Sequence, residues 1–279
     1  MSATSDHYYL PNPSPWPLLA SSGLFTLALG TVLTINDLGA GPWVLLVGAV
    51  IIGYMMTRWF GQVIGESEGE VYNAQVDMSF RMGMAWFIFS EVMFFAAFFG
   101  ALFFERHFSV PWIAADHILW PGFQAMWPTA GPKGAAFTPM TPWGIPAINT
   151  LILLTSGATV TWAHWGLLKN NRAQLIVGLI LTILLGISFI AMQAHEYYLA
   201  YTHFGLTLKA GVYGATFFML TGFHGLHVTI GTIMLIVMLI RSIKGHFRPD
   251  HHFAFEAVSW YWHFVDVVWL GLFILVYWL

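Results

Sequence analysis

The sequence predicts an all-α integral membrane protein with seven transmembrane helices. Two features of its composition support this prediction, since 58% of the 279 residues are hydrophobic and only 8% are charged. A third observation is that long apolar runs alternate with short polar segments. Soluble globular proteins carry about a quarter charged residues, so an ordinary soluble fold is excluded.

The composition also excludes several classes of function. The formal net charge is −3 and no basic tract is present, so we expect no nucleic-acid partner. The chain has no cysteine, which rules out disulfides, thiolate nucleophiles and Cys-ligated zinc or iron–sulfur centres. The first 17 residues are polar and lack Lys and Arg, unlike a cleavable signal or transit peptide. We therefore expect the first apolar segment to remain in the membrane.

Seven apolar runs have about the 20 residues that a spanning helix needs. They are Trp16–Asn36, Leu38–Thr57 continuing to about Ile64, Met82–Phe104, Pro142–Leu168, Ala173–Tyr198, Ala210–Ile240 and Phe255–Leu279. Because these runs fill most of the chain, we predict a single membrane domain over residues 1–279. Within it, helices one and two (16–64) and helices three to seven (82–279) are separated by an acidic connecting segment (65–81).

The distribution of Lys and Arg predicts the orientation in the membrane, because positively charged loops tend to stay cytoplasmic. Seven of these residues fall on the amino-terminal side and three on the opposite side. We therefore expect a cytoplasmic amino terminus and a carboxyl terminus on the outer, periplasmic side.

The longest connection, His107–Thr141, is rich in Trp and Pro. Proline disrupts the interior of a helix, so we expect this segment not to form regular helix. Its indole rings are suited to a membrane interface or to the surface of another protein.

Glu91 lies near the middle of the third span, and its neighbours three and four residues away are all Phe or Ile. None of these neighbours can pair with a carboxylate, so desolvation favours the neutral acid. One interpretation is a proton-bearing, carbodiimide-reactive carboxyl that faces lipid or a cleft. The other is a protonated acid that is hydrogen-bonded to another helix for packing.

Asp266 is the second acid inside a span, and His263 lies three residues before it on the same helical face. Such a pair can share a proton and remain formally neutral. The pattern therefore favours a structural role for Asp266, with His263 as its partner.

The 12 histidines raise the question of a metal site, and His224 and His227 in H-G-L-H can present two ligands from one helix. Two ligands do not complete a site, and the in-span acids Glu91 and Asp266 lie in other helices. We therefore expect no metal site and interpret these histidines as helix-to-helix hydrogen-bonding groups.

Aromatic and charged residues at the predicted cytoplasmic ends of spans two and six are typical of lipid head-group contacts. The residues concerned are Arg58, Trp59, Phe60, Glu66, Arg241 and Lys244. The alternative is ordinary anchoring of the helix ends by positive charge.

Five blocks of the sequence strongly resemble the subunit III family of cytochrome c oxidases, within the haem-copper oxidases. They are WFIFSEVMFF (Trp86–Phe95), TWAHW (Thr161–Trp165), QAHEYY (Gln193–Tyr198), VYGATFFMLTGFHGLHV (Val212–Val228) and HHFAFEAVSWYWHFVDVVWL (His251–Leu270). The blocks occur in the family's order, and the resemblance extends from about Trp16 to the end of the chain.

The resemblance implies a seven-helix subunit in which the first two helices diverge from the other five and form a cleft filled with phospholipid. It also implies no catalytic residue and no cofactor in this chain, because haem and copper belong to subunits I and II. The family's role is to support proton uptake into subunit I and the stability of its active site. The implied partners are subunit I as the main contact, subunit II and phospholipids.

Individual residues follow from the same resemblance. Glu91 matches the family's carbodiimide-reactive glutamate, and the family's lipid contacts match Trp59, Glu66, Phe87 and Arg241, with Lys244 nearby. Gly65 stands where some mitochondrial members have a basic residue, which removes one head-group contact. The loop after span three is longer than in mitochondrial members, which favours a bacterial plasma membrane over a mitochondrial inner membrane.

The sequence therefore predicts a non-catalytic subunit III of a proton-pumping oxidase that transfers electrons from cytochrome c to oxygen. One alternative is the related subunit of a quinol oxidase or an accessory protein of that type, although those relatives typically lack the first two helices. The alternative from another class is an independent proton-coupled transporter that uses Glu91 and Asp266.

Overall fold

The computed structural model describes residues 9–278 of the chain and contains helices but no β-strand over that range. The helices are α1 (Trp16–Ile35), α2 (Gly41–Glu68), α3 (Ala74–Phe104), α4 (Val110–Ala115), α5 (Ile145–Leu168), α6 (Arg172–Thr202), α7 (Gly211–Lys244) and α8 (Phe253–Leu272). Within the described range, seven helices are long and apolar enough to cross a membrane, if α3 and α4 are counted as one continuous run. The predicted fold class is confirmed.

The link between the second and third spans is shorter than the predicted segment over residues 65–81. Helix α2 continues to Glu68 and α3 begins at Ala74, so only residues 69–73 lie outside helix. The prediction followed the end of the apolar run, but charged residues such as Glu are themselves good helix formers. Both helices therefore extend beyond their apolar parts.

The expectation that residues 107–141 contain no regular helix is wrong at their beginning. The third span continues through a π-helical segment, Glu105–Ser109, into α4, which ends at Ala115. Pro111 lies just after the π-helical segment, whose wider turn replaces the i→i−4 hydrogen bonds that a proline would interrupt. The rest of the connection contains no helix until α5 begins at Ile145.

The chain divides into two compact units, the first ending at Phe80 and the second beginning at Arg81. In the first unit, α1 and α2 pack through glycines. A Cβ atom on Gly30 would lie 2.5 Å from the backbone nitrogen of Leu45, and one on Gly48 would lie 2.7 Å from that of Leu27. Such distances leave no room for a side chain, so the two helices approach backbone to backbone.

In the second unit, α8 supplies the largest fully buried side chains, Trp262 and Trp269. The Trp262 ring fills the space beside Gly186 of α6 and Gly231 of α7, where an added Cβ atom would lie within 2.9 Å of it. Helix α8 therefore packs closely against both neighbours.

Polar side chains link the buried helices of the second unit. The indole nitrogens of Trp262 and Trp269 donate to Ser156 Oγ and Thr150 Oγ1 of α5, each at 2.9 Å. Thr159 and Thr182 join α5 to α6 through their hydroxyls at 2.8 Å. In lipid, such hydrogen bonds and close packing replace the hydrophobic drive that holds soluble bundles together.

Candidate functional site

Glu91 of α3 is hydrogen-bonded to His227 of α7. Its Oε2 lies 3.0 Å from His227 Nε2, and the side chains are 22% and 11% exposed, respectively. The partner that the sequence neighbours of Glu91 cannot provide thus comes from another helix. His227 belongs to the H-G-L-H pair, and at this position it forms a hydrogen bond from α7 to α3.

The other nitrogen of His227 determines how many protons the pair holds. His227 Nδ1 lies 2.6 Å from the carbonyl oxygen of Phe223, which can only accept, so Nδ1 carries a hydrogen. Nε2 of the neutral ring is then a lone pair, and its hydrogen bond to Glu91 needs one further proton. This proton lies either on the carboxyl or on the imidazole, and in both cases the pair is formally neutral.

Aromatic rings surround the pair on the protein side. The imidazole of His227 lies 5.1 Å from the ring of Phe95 and 6.2 Å from those of Phe94 and Phe264, measured between centroids. Tyr261 stacks on it at 6.3 Å. This apolar surrounding disfavours an isolated charge on either group, which is consistent with a shared proton.

Asp266 and His263 of α8 form a second acid–histidine pair. His263 Nδ1 lies 3.5 Å from Asp266 Oδ2, which is longer than a good hydrogen bond. His263 Nε2 lies 3.2 Å from Thr161 Oγ1 of α5, and this hydroxyl donates to the Gly157 carbonyl. Nε2 therefore donates to Thr161, so Nδ1 faces the acid as a lone pair, and the pair again requires one extra proton.

Gly157 makes room for the Asp266 carboxyl. A Cβ atom at Gly157 would lie 2.3 Å from Asp266 Oδ2, so no larger residue fits there without moving the acid. The two residues open onto a groove of about 510 Å³ that is lined mainly by apolar side chains of α5 and α8. The predicted i,i+3 partnership of His263 and Asp266 is thus present, but the acid also faces a groove.

His224, the first histidine of H-G-L-H, has a different partner from His227. It is buried, and its Nε2 lies 3.2 Å from the carbonyl oxygen of Val265 in α8. The two histidines thus bond to different helices, as expected for packing groups.

The whole chain matches one protein family. A family model described as cytochrome c oxidase subunit III matches residues 6–279. The chain is 45% identical to cytochrome c oxidase subunit 3 of Marchantia polymorpha over 280 residues, which cover 100% of this chain and 98% of that protein.

The chain belongs to the cytochrome c oxidase subunit III family.

Further relatives agree with this assignment. The proteins named cytochrome c oxidase subunit 3 from Arabidopsis thaliana and Papio hamadryas are 43% and 41% identical over 272 residues. Each of these alignments covers 97% of this chain and 96% of the relative. As a subunit III, the chain is part of a cytochrome c oxidase complex, which is an oxidoreductase with other subunits, and it is integral to a membrane.

Two residues that the family resemblance assigns to lipid binding lie in the first unit of this subunit III. Trp59 is exposed and its ring stacks on Phe60, with 5.6 Å between centroids. Glu66 accepts hydrogen bonds from Gln62 at 2.7 Å and from the Tyr72 hydroxyl at 2.6 Å. Burial and the bond to Glu66 raise the pKa of Tyr72 above its ordinary value, so this hydroxyl remains a donor.

The other three residues assigned to lipid lie in the second unit. Phe87 is exposed and stacks on Tyr261, whereas Arg241 is only 6% exposed and lies over the ring of Phe247, 4.7 Å from its centroid. Lys244, in the last turn of α7, is exposed. Of these two cations, Lys244 is therefore the one with more open access to a head group.

Glu196 of α6 is a buried acid that the sequence analysis did not single out. Its side chain is fully buried beside Gln193 and Tyr277. In the sequence it lies close to the end of the apolar run Ala173–Tyr198, where a charged residue is expected at the membrane interface. The signal that identifies it is spacing, because Phe189, Gln193, Glu196 and Ala200 recur at four, three and four residues and share the buried face of α6.

Proposed function

We propose that this subunit III is a non-catalytic component of an aerobic terminal oxidase, and that its Glu91–His227 pair is a proton-holding group that supports proton uptake into subunit I. The observation that carries the proposal is the hydrogen bond of 3.0 Å between Glu91 Oε2 and a ring nitrogen that has no hydrogen of its own in neutral histidine. In this proposal, electrons pass from cytochrome c to oxygen through haem and copper in subunits I and II, and the complex pumps protons.

The position of Glu91 supports this role. A group that exchanges protons must be reachable, and the Glu91 side chain is 22% exposed, compared with 9% for Asp266. Because the pair holds one proton in either arrangement, a proton can move between the carboxyl and the imidazole without creating net charge. Asp266 has the same chemistry but less access, which favours the structural role for Asp266 and His263.

Phospholipid binding is the second part of the proposal. Trp59 and Phe87 are exposed aromatic side chains on membrane-spanning helices, as expected of groups that contact acyl chains. Lys244 provides an exposed cation for a phosphate, whereas Glu66 is already hydrogen-bonded to Tyr72 and Arg241 lies over the ring of Phe247.

The distribution of charge and the length of the loop after the third span support a proposed membrane and orientation for the chain. Subunit I is the main partner and subunit II the second, in a bacterial plasma membrane with the amino terminus in the cytoplasm. The chain has ten Lys and Arg residues, and seven of them lie on the amino-terminal side, which supports this orientation.

Carbodiimide labelling tests the role of Glu91, because carbodiimides react with protonated carboxyl groups. In the purified oxidase, we expect the Glu91→Gln variant to lose labelling of this subunit while it keeps assembly and most of the oxidase activity. The matched control is Asp266→Asn, which removes the less accessible acid and should leave labelling intact. Complete loss of electron transfer in an assembled Glu91→Gln complex would show that the group is catalytic and would refute the supporting role.

A further inference from the structure

Three potential metal ligands meet where α5 ends and α8 begins. His164 lies in the last turns of α5, His252 immediately precedes α8, and Glu256 lies in the first turn of α8. One donor atom from each residue lies within 4.8 Å of the other two. The histidine rings are in edge contact, with 5.6 Å between their centroids.

His252 presents a free lone pair to this cluster. Its Nδ1 lies 3.1 Å from the carbonyl oxygen of Arg248, so Nδ1 carries a hydrogen and Nε2 of the neutral ring does not. Nε2 is buried and makes no hydrogen bond, although it lies 3.4 Å from Glu256 Oε1. A lone pair that faces a carboxylate oxygen is repulsive unless a proton or a metal cation lies between them. A backbone carbonyl that fixes Nδ1–H is also the usual support of a histidine that binds metal through Nε2.

His164 and Glu256 also have ligand atoms that can bind a metal ion. His164 Nε2 is buried and has no hydrogen-bond partner. The Glu256 carboxylate is oriented by Arg81, which donates to its Oε2 and leaves Oε1 on the side of His252. The His252 and Glu256 side chains are only 9% and 17% exposed, so water cannot freely satisfy these atoms.

We propose that His164, His252 and Glu256 bind one divalent zinc ion. Two imidazole nitrogens and one carboxylate oxygen are a known zinc ligand set that leaves a fourth position for water. Tetrahedral zinc with bonds of about 2.1 Å needs donors about 3.4 Å apart. The His252–Glu256 separation of 3.4 Å already has this value, and a ligand atom of His164 lies within 4.8 Å of both.

The proposed ion has a structural role. It joins the end of α5 to the beginning of α8 and, through the bond from Arg81 to Glu256, it also restrains α3. The fold thereby gains a cross-link between three spans in a chain that has no cysteine for a disulfide. The positive charge of Arg81 opposes the ion, so we expect an exchangeable ion that a chelator removes.

The test counts zinc in the assembled oxidase. The complex is dialysed against a chelator and then against dilute Zn²⁺, and bound zinc is measured by elemental mass spectrometry relative to haem. We expect wild type to hold one more zinc per complex than the His252→Gln variant, whose affinity at this site should fall about 10-fold or more. The matched control is His251→Gln, which changes the adjacent histidine outside the cluster and should retain the zinc. Equal zinc in wild type and His252→Gln, at equal haem content, would overturn the proposal.

A second measurement uses only the wild-type oxidase, so it tests the site even if the His252→Gln variant fails to assemble. Crystals of the wild-type oxidase soaked in Zn²⁺ should give an anomalous peak at the zinc edge between His164, His252 and Glu256. Crystals soaked in Mg²⁺ should give no bound ion there, because magnesium prefers oxygen ligands and octahedral geometry. The absence of a zinc peak at this position would refute the site.

Discussion

At the residue scale, both acid–histidine pairs depend on a neighbour that fixes one nitrogen of the ring. The Phe223 carbonyl accepts a hydrogen bond from His227 Nδ1, and the Thr161 hydroxyl accepts one from His263 Nε2. In each ring, the remaining nitrogen therefore faces an acid. The acids are therefore held in place by groups that do not themselves titrate. Loss of the histidine should matter more than its single hydrogen bond suggests, because it leaves a carboxyl without a partner.

Removal of the histidine tests the Glu91–His227 pair. The His227→Phe variant fits the surrounding aromatic rings but leaves the Glu91 carboxyl unpaired, so we expect a destabilisation of about 1–3 kcal/mol. Adding Glu91→Leu should recover most of this loss, since replacing both partners by apolar groups is often nearly neutral. The measurement is the midpoint temperature of unfolding of the subunit in detergent. A double variant that is less stable than His227→Phe would contradict the pairing.

The two pairs also show what can be predicted from single residues. His263 and Asp266 are three residues apart on one helix, so helical periodicity alone predicts their contact. His227 is 136 residues from Glu91, and their contact depends on how α3 and α7 pack. The same holds for His164, which lies far along the chain from His252 and Glu256. Tertiary packing, for which the sequence pattern contains no local signal, decides these contacts.

At the element scale, α1 and α2 depend on glycines to approach each other. The Gly48→Ala variant places a methyl group 2.7 Å from the backbone of Leu27, which cannot move independently, so we expect overpacking to destabilise the pair by about 1–3 kcal/mol. The matched control is Gly53→Ala in the same helix, where an added Cβ atom has no neighbour within 4 Å. The loss is measured as a lower temperature at which the subunit dissociates from the purified oxidase. Equal temperatures for the two variants would show that the helices do not rely on this contact.

The elements themselves were largely predictable, because each span is an apolar run of the required length. Their ends were less so. Glu66 and Asp77 terminate the apolar pattern but not the helices, and Pro111 lies in a helical turn that permits it. The length of an apolar run is set by the thickness of the hydrocarbon layer, whereas the length of a helix is set by where its backbone hydrogen bonds end.

At the scale of the whole molecule, the proposed orientation can be tested with introduced cysteines, since the natural chain contains none. Gln124 and Asn170 are both exposed and lie in connections that the charge distribution assigns to opposite sides. We expect a membrane-impermeant maleimide to label the Gln124→Cys variant in intact cells and the Asn170→Cys variant only after permeabilisation. Wild type provides the background, and the reverse pattern would contradict a cytoplasmic amino terminus.

The second unit, from Arg81 onward, contains both acid–histidine pairs and the proposed zinc ligands. Three different polar clusters thus depend on how α3, α5, α7 and α8 assemble. The proposed proton-holding pair and the proposed zinc site therefore both belong to this unit.

The shared proton proposed for the Glu91–His227 pair would also determine how the site responds to voltage. A membrane potential of 100 mV acts on one elementary charge with about 2.3 kcal/mol, but it does no such work on a group whose net charge is zero. The further proton between His227 Nε2 and Glu91 Oε2 is what would make the pair a dipole instead of an ion. In the proposed arrangement, a proton that moves within the pair is displaced by less than the 3.0 Å between its two atoms, whereas a proton that arrives from outside crosses a larger part of the membrane potential.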